Sequence, residues 1–298
     1  MRFRPALPLG YLSMVITVQD AAVQAAARVA AGLGVTSDEP VVLADGANVI
    51  VHLRPSPVVA KVAASTAAVR ADTAGWLKRE LDLAQFLAAA GVPVMTPSPE
   101  IPATTYHGDG LVMSFWRYLR SSGGARPDEA TIGSMLRDLH AALRSYPDPL
   151  PVLAPLGDIP AFLARPQTRL SPAQSVALSE AYARLTAELD LASPPGQALH
   201  GDAGAGNLTD TDTGWVWHDF EDTCSGPVAW DLAASTASQR LDGRRVLAAY
   251  GAPVDAGQLA VCEQLRRLHL TVWYALYAER LPDLRPRATG LLALWSPG

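Results

Sequence analysis

Lysine is nearly missing from this chain of 298 residues. Of its 24 basic residues only Lys61 and Lys78 are lysines, and the other 22 are arginines. Lysine is a compact point charge and arginine a planar fork, so a chain that takes arginine for generic positive charge makes each retained lysine worth attention. Cysteine is as scarce. Cys224 and Cys262 are too few for a disulfide framework or a cysteine-rich zinc site, and a reducing, cytoplasmic setting is the simpler expectation. A basic excess is lacking too. The 29 acidic residues outnumber the 24 basic ones for a net charge of −5, which gives no duplex-binding face and no nucleic-acid partner. No apolar run reaches the roughly 18 residues of a membrane span, so no membrane partner is expected. The start, MRFRPALPLGYLSMVITV, has the outline of a secretory leader. Pro5, Pro8 and Gly10 break its apolar run and no clear cleavage site follows, so no leader is expected.

What the chain does have is bulk apolar material. Hydrophobic residues make up 49% and charged residues 18%, enough for a sizeable core and contrary to global disorder. Residues 19–33 read as an alanine-rich helix ended near Gly34. Three strand-like runs follow, 40–44, 48–54 and 58–64, with a hairpin signal at Asp45-Gly46-Ala47 and a turn at Pro55-Ser56-Pro57. Apolar positions 76, 77, 81, 84, 87 and 88 give helical spacing over 73–90, stopped by Gly91 and Pro93. A strand at 110–116 follows a turn at His107-Gly108-Asp109. Beyond a loop at 121–130, helices are expected at 128–145, 158–165, 171–190, 228–238, 243–250, 255–281 and 285–295, interrupted by one strand-like island at 214–220. The expected fold is α+β in two lobes. Residues 1–114 form a small antiparallel sheet lobe with one inserted helix, residues 115–298 a mostly helical lobe, and a ligand cleft lies between them.

The island carries the chemistry. His200-Gly201-Asp202 is followed by Asn207 and then by Asp219. Two carboxylates and an amide are oxygen donors suited to a hard cation such as magnesium. Gly201, Gly204 and Gly206 would let the backbone turn sharply against a ligand. Phosphoryl transfer needs such a set: one carboxylate to orient the attacking hydroxyl, an amide and a second carboxylate to hold the metal. The sheet lobe would hold the nucleotide. Lys61 stands centrally in VVAKV, where its point charge suits phosphates, and Glu80 on the next helix is a partner for it. The turn at Gly46 and Asn48 would lay N–H groups over the phosphates.

The motifs HGDAGAGN and HDFEDTCSGPVAWDLA resemble the aminoglycoside phosphotransferase family of small-molecule kinases, relatives of the choline kinases with a protein-kinase-like fold. The likeness runs in order from about residue 40 to about 235 and is strongest over 200–233. The resemblance implies ATP and Mg2+ as cofactors. It makes Asp202 the catalytic base, Asn207 and Asp219 the metal ligands, and Lys61 the α/β-phosphate contact backed by Glu80. It makes Met113, Ser114, Phe115 and Trp116 the linker whose backbone reads adenine, and Asp231 a structural residue. Three departures stand out. Residues 203–206 are Ala-Gly-Ala-Gly where the family often has a bulkier or basic residue and a proline, the phosphate loop is short, and His218 precedes the metal aspartate where an apolar residue is usual.

The acceptor is expected to be a small molecule with a hydroxyl: an aminoglycoside, amino sugar or amino alcohol. Glu221 and Asp222 would face the cleft mouth and attract a cationic acceptor, and Trp273 and Tyr274, with Tyr277, would wall it, the alternatives being a solvated loop and core packing. His200 is expected to order the loop rather than to move protons. A zinc site at His200, Asp202 and His218 lacks ligand spacing. The alternative function is a nucleotide-binding protein with weak catalysis, motivated by the bare 203–206 loop. A protein kinase fits less well, since Gly226-Pro227 and a helix follow Asp219 too soon for an activation segment.

Overall fold

The computed structural model describes residues 17–121, 123, 126–166, 168–189, 196–238 and 240–295. The leader-like start before residue 17, and residues 122, 124 and 125 of the expected loop, lie outside the described residues.

Thr17 caps α1 (Val18–Gly32) in a capping box with Asp20. Ala22, Ala25, Ala26 and Ala30 recur at helical spacing on one buried face, where small side chains let the helix lie close against a sheet. That sheet contains β1 (Glu39–Asp45), β2 (Asn48–Arg54), β3 (Val58–Ala63), β4 (Tyr106–Gly108) and β5 (Leu111–Arg117). It is antiparallel in the order β1-β2-β3-β5-β4, with α2 (Thr73–Ala89) inserted after β3. The turn before β5 differs from expectation: His107 and Gly108 belong to β4. Asp109 and Gly110, with φ of 52° and 77°, make the turn, as a two-residue hairpin matched to strand twist requires.

β3 is the central strand, and its side chains alternate between faces. Val58, Ala60 and Val62 pack with the α1 layer, whereas Val59 packs with Leu81, Ala84 and Leu87 of α2. Lys61, two residues from Val59, therefore faces α2. Register places it opposite Ile50 of β2 and Ser114 of β5.

The helical half comprises α3 (Glu129–Leu143), α4 (Asp158–Leu163), α5 (Pro172–Glu188), α6 (Val228–Thr236), α7 (Gly243–Tyr250), α8 (Ala256–Arg280) and α9 (Arg285–Ala293). These helices end within two residues of where periodicity and capping signals placed them. α3 and α7 meet at Gly133, where a Cβ would lie 2.4 Å from the Val246 carbonyl oxygen. α8 spans the core of this half, burying Cys262, Leu265, Leu268, Val272 and Leu276 against Trp230 and Phe162. Two short hairpin-like sheets lie between α5 and α6: β6 (Gln197–Leu199) with β9 (Cys224–Gly226), and β7 (Leu208–Thr211) with β8 (Gly214–Trp217). Among the described residues no helix is long and apolar enough to cross a membrane. Cys224 and Cys262 are buried and unpaired.

Candidate active site

Register builds the site. Leu208 pairs with Trp217 across β7 and β8, so Asn207 and His218, the next residues outward, lie side by side. The His218 N–H donates to the Asn207 carbonyl at 3.0 Å. Asp219 follows at once. Its strand ends earlier than expected, at Trp217, and Asp219 itself is left-handed with φ 65°. In the same way Leu199 pairs with Cys224, which brings the His200–Asp202 turn beside Asp222. Gly201 has φ +88°, and a Cβ there would sit 1.8 Å from the Asp222 carbonyl oxygen. Only glycine fits. Gly204 and Gly206 lack this constraint: a Cβ on either meets nothing within 4 Å.

The turn is braced from below. Asp231 on α6 accepts the His200 N–H at 2.9 Å and the Gly201 N–H at 2.8 Å, and lies 3.0 Å from His140 Nε2. Trp230 Nε1 donates to the Gly201 carbonyl at 2.8 Å. His200 Nε2 faces the His218 carbonyl and its Nδ1 faces the Asp202 N–H, which assigns the neutral Nε2–H tautomer. Burial holds the His200 pKa below the ordinary value. It acts as a brace.

Lys61 Nζ lies 2.9 and 2.8 Å from the two Glu80 carboxylate oxygens, 2.5 Å from Asp219 Oδ1 and 3.1 Å from Glu221 Oε2. Burial pulls its pKa down, but three carboxylates more than offset that and keep it protonated. Burial also pushes Asp219 up, yet Lys61 holds it at about 2, so it is ionised. At Glu80 burial outweighs the pull of Lys61 and pushes the carboxyl up to about 8, whereas Asp219 keeps part of its side chain open. Asn207 Nδ2 donates to the Asp202 carbonyl at 2.7 Å and to Asp202 Oδ2 at 3.0 Å, which leaves its side-chain oxygen to ligate a cation. This oxygen set and charge fit a hard divalent cation completed by phosphate oxygens. Among the described residues no cluster of three or more His, Cys, Asp or Glu forms a metal cage by itself.

Asp202 is held from both sides. Asn207 takes Oδ2, and the Arg266 guanidinium of α8 takes Oδ1 while donating to the Gly201 carbonyl at 2.9 Å. Burial pushes the Asp202 pKa up, and Arg266 brings it below the usual carboxylate range. Its side chain remains 42% exposed.

Several expected residues sit elsewhere. Met113, Ser114, Phe115 and Trp116 are interior to β5. Their backbone pairs with β3 on one edge and with β4 and residues 96–98 on the other, which occupies the groups an adenine would need. The strand runs on to Arg117, so the connecting segment begins at Tyr118. The Gly46 N–H is used inside its own turn, donating to the Asn48 carbonyl at 3.0 Å. Asn48 acts through its side chain, donating to Glu221 Oε2 at 2.7 Å and accepting from Thr66 at 3.1 Å. Glu221 and Asp222 are buried rather than at a cleft mouth. Glu221 is engaged by Asn48 and Lys61, and Asp222 accepts from Arg70 at 2.6 Å. Trp273 is buried, its indole N–H on His269 Nε2 at 2.9 Å. Tyr274 lies under the Arg287 guanidinium, 4.4 Å from its ring centre. Of the aromatic trio Tyr277 faces the acidic cluster; burial and then Glu221 and Asp202 push its pKa up.

Three arginines were not anticipated. Arg70 is buried between Trp76 and Trp273, its carbon 3.6 and 5.2 Å from their ring centres, and bound to Asp158 at 3.1 and 2.7 Å. Arg280 reaches from α8 to Asp45 and, at 2.5 Å, to the Gly46 carbonyl. Arg266 is on Asp202. Nothing in their local sequence separates them from 19 other arginines. The one available signal was the 203–206 loop, bare of charge beside a site that needs a cation.

The sequence profile of the phosphotransferase enzyme family (APH) matches residues 43–260. Among solved structures the chain is similar to an amicoumacin kinase in complex with AMP-PNP and Ca2+, at 12% identity over 89% of this chain and 91% of that one, with a TM-score of 0.65. It is similar to a microcompartment-associated aminopropanol kinase, at 19% identity over 90% and 95%, TM-score 0.62. A choline/ethanolamine kinase family protein from Mesorhizobium loti gives 20% identity over 92% of both chains, TM-score 0.56. At these identities the likeness is one of fold. Among curated proteins no sequence matches significantly.

Proposed function

This chain belongs to the phosphotransferase enzyme family and has a two-lobed, kinase-like α+β fold, and from that premise we propose that it transfers the γ-phosphate of ATP, with Mg2+, to a hydroxyl of a small molecule. One observation carries the reading. Lys61 of the sheet lobe, backed by Glu80, meets Asp219 of the helical lobe at 2.5 Å, and Asn207, which holds Asp202, pairs across the base of the β7–β8 hairpin with His218, the residue before Asp219. On this reading the lobes divide near residue 115, two residues before β5 ends at Arg117.

Asp202 is the base: ionised and partly open, it accepts a hydrogen bond from the acceptor hydroxyl and aims its oxygen at phosphorus. Lys61 leaves Asp219 for the phosphates and keeps Glu80. Asn207 and Asp219 hold the metal, which supplies charge neutralisation of the phosphates when bound. The acceptors named for the structural neighbours, amicoumacin and aminopropanol among them, belong to those proteins. For this chain the acceptor is a hydroxyl compound whose charge is not set by Glu221 and Asp222, because both are already paired. On this reading the protein works in the cytoplasm, where ATP is held.

A second reading, a nucleotide-binding protein with weak catalysis, is favoured by the Arg266 guanidinium seated on Asp202. A phosphate-transfer screen with MgATP against choline, 1-amino-2-propanol, spectinomycin and kanamycin decides between them. Transfer to any of these above the rate to water supports the kinase. Thermal stabilisation by MgATP with no transfer supports the weak binder.

A further inference from the structure

We propose that Arg266 is a positioning residue for phosphoryl transfer, supplying from α8 the positive charge that the catalytic loop itself lacks. The inference rests on the kinase reading above. In the transfer the acceptor oxygen bonds to the γ-phosphorus, the bond from γ-phosphorus to the bridging oxygen breaks with its electron pair going to ADP, and the hydroxyl proton passes to Asp202. Charge spreads over the three equatorial oxygens, and a cation fixed on the carboxylate that aims the attacking oxygen holds that carboxylate in line and adds positive potential beside the loop.

Residues 203–206 between Asp202 and Asn207 are Ala-Gly-Ala-Gly and carry no charge. The neighbouring cations are otherwise committed. Lys61 is anchored on Glu80. Arg70 is clamped by Asp158 and Asp222 between two indoles. Arg280 holds the β1–β2 turn through Asp45 and Gly46. Arg266 alone of these four brings its charge to Asp202.

Its fork is pre-aimed. One nitrogen donates to the Gly201 carbonyl at 2.9 Å and another to Asp202 Oδ1, while the guanidinium carbon stands 5.0 Å from the Trp230 ring centre. Asn207 holds Oδ2 from the opposite side. Two oxygens gripped by two residues on separate elements leave the carboxylate one orientation. A planar fork stacked on an aromatic ring does this where a lysine ammonium would not. Gly204 supplies the complementary observation. With φ −85° and ψ 161°, and nothing within 4 Å of a built Cβ, it accepts a side chain without strain. A cation can therefore be put back on the loop by substitution.

The test uses the purified full chain with MgATP and whichever of choline, 1-amino-2-propanol, spectinomycin or kanamycin is phosphorylated fastest, with release of phosphate to water as the second rate. Arg266→Ala is expected to lower kcat by about a hundred- to a thousandfold, the range for losing one preorganised donor, with the KM for ATP within about threefold. Arg266→Lys keeps the charge, loses the fork and falls between. Guanidinium ion in the assay is expected to raise the Arg266→Ala rate, and the double variant Arg266→Ala/Gly204→Lys to exceed Arg266→Ala by about tenfold or more. Should Arg266→Ala not fold, Arg266→Gln keeps the stem on Trp230 and serves in its place. The proposal is overturned if the folded Arg266 variant keeps kcat within threefold of wild type or exceeds it. It is equally overturned if kcat falls and neither guanidinium ion nor the Gly204→Lys change restores any of it, since the role is then merely structural. Wild-type protein that transfers phosphate to no acceptor and not to water removes the kinase reading itself, a result seen before any variant is made.

Discussion

Four of the six carboxylates between residues 202 and 222 gather at the site, Asp202, Asp219, Glu221 and Asp222, and they divide into two pairs of opposite character. Asp202 and Asp219 keep side-chain exposures of 42% and 39%. Glu221 and Asp222, a few residues on, keep 9% and 10%. All four have cationic neighbours, so charge does not separate them. The open pair touches its cations along one edge, Arg266 on one Asp202 oxygen and Lys61 on one Asp219 oxygen. The closed pair is walled in by Asn48, Lys61 and Arg70, residues of the sheet lobe and of the segment after it. A carboxylate in this protein is available for chemistry when one face remains open to the cleft, and becomes a structural anchor when a second lobe covers it.

That contrast can be broken at several points, and the largest effect is expected at the open pair. Asp202→Ala should lower transfer by about a hundred- to ten-thousandfold, the range for a positioned general base, with MgATP binding and melting temperature nearly unchanged. Rates and thermal shift measured together check it, and a loss of stability matching the loss of rate would put Asp202 with the anchors. Arg70→Met should do the reverse at the closed pair. It strands Asp158 and Asp222 in the interior, so urea unfolding should show a loss of about 3–5 kcal/mol. Asp231→Asn sits beneath the open pair. It turns a donor toward backbone N–H groups, and should cost about 1–3 kcal/mol by the same measurement.

The pairs should also differ in the sign of their pH dependence. Burial pushes Asp222 up to about 6, so the folded state holds its proton more tightly than the unfolded chain, and its contribution to stability falls as pH rises from 3.8 to about 6. Burial pushes Asp219 up as well, but Lys61 takes it to about 2, so its contribution is present above 3.8 and is lost as pH falls toward 2. Stability curves for wild type, Asp222→Asn and Asp219→Asn against pH should show wild-type-minus-variant differences of opposite slope. The smallest effect belongs to the second lysine. Lys78 pairs with Asp82 one turn away on the surface of α2, and Lys78→Ala should cost about 0.3–0.5 kcal/mol in urea unfolding.

Much of this was legible beforehand, for local reasons. Lys61 could be singled out because lysine is so rare here, and the strand VVAKV already implied which neighbours shared its face. The run from His200 to Asp231 carries its candidate residues at short spacings, and two short antiparallel pairings bring them together with little choice of register. The strand containing Met113 to Trp116 was also visible, but its end was not. Extension to Arg117 depends on pairing with residue 59, residue 58 and the 96–98 segment, so the linker moved along the chain.

Long-range partners were beyond reach. Arg70 meets Asp222 across 152 residues of sequence, Arg266 meets Asp202 across 64, and Arg280 meets Asp45 across 235. In a chain with 22 arginines no local pattern marks these three. The order of residues along the chain was enough to determine the fold class, the lysine–glutamate pair and the Asp202, Asn207 and Asp219 set, because each depends on periodicity or on elements adjacent in the chain. Which carboxylates stay open, and which arginine faces the candidate base, was decided only when the sheet lobe and α8 closed on the turn. Burial and the approach of opposite charge are properties of packed surfaces, and they exist only once distant segments meet.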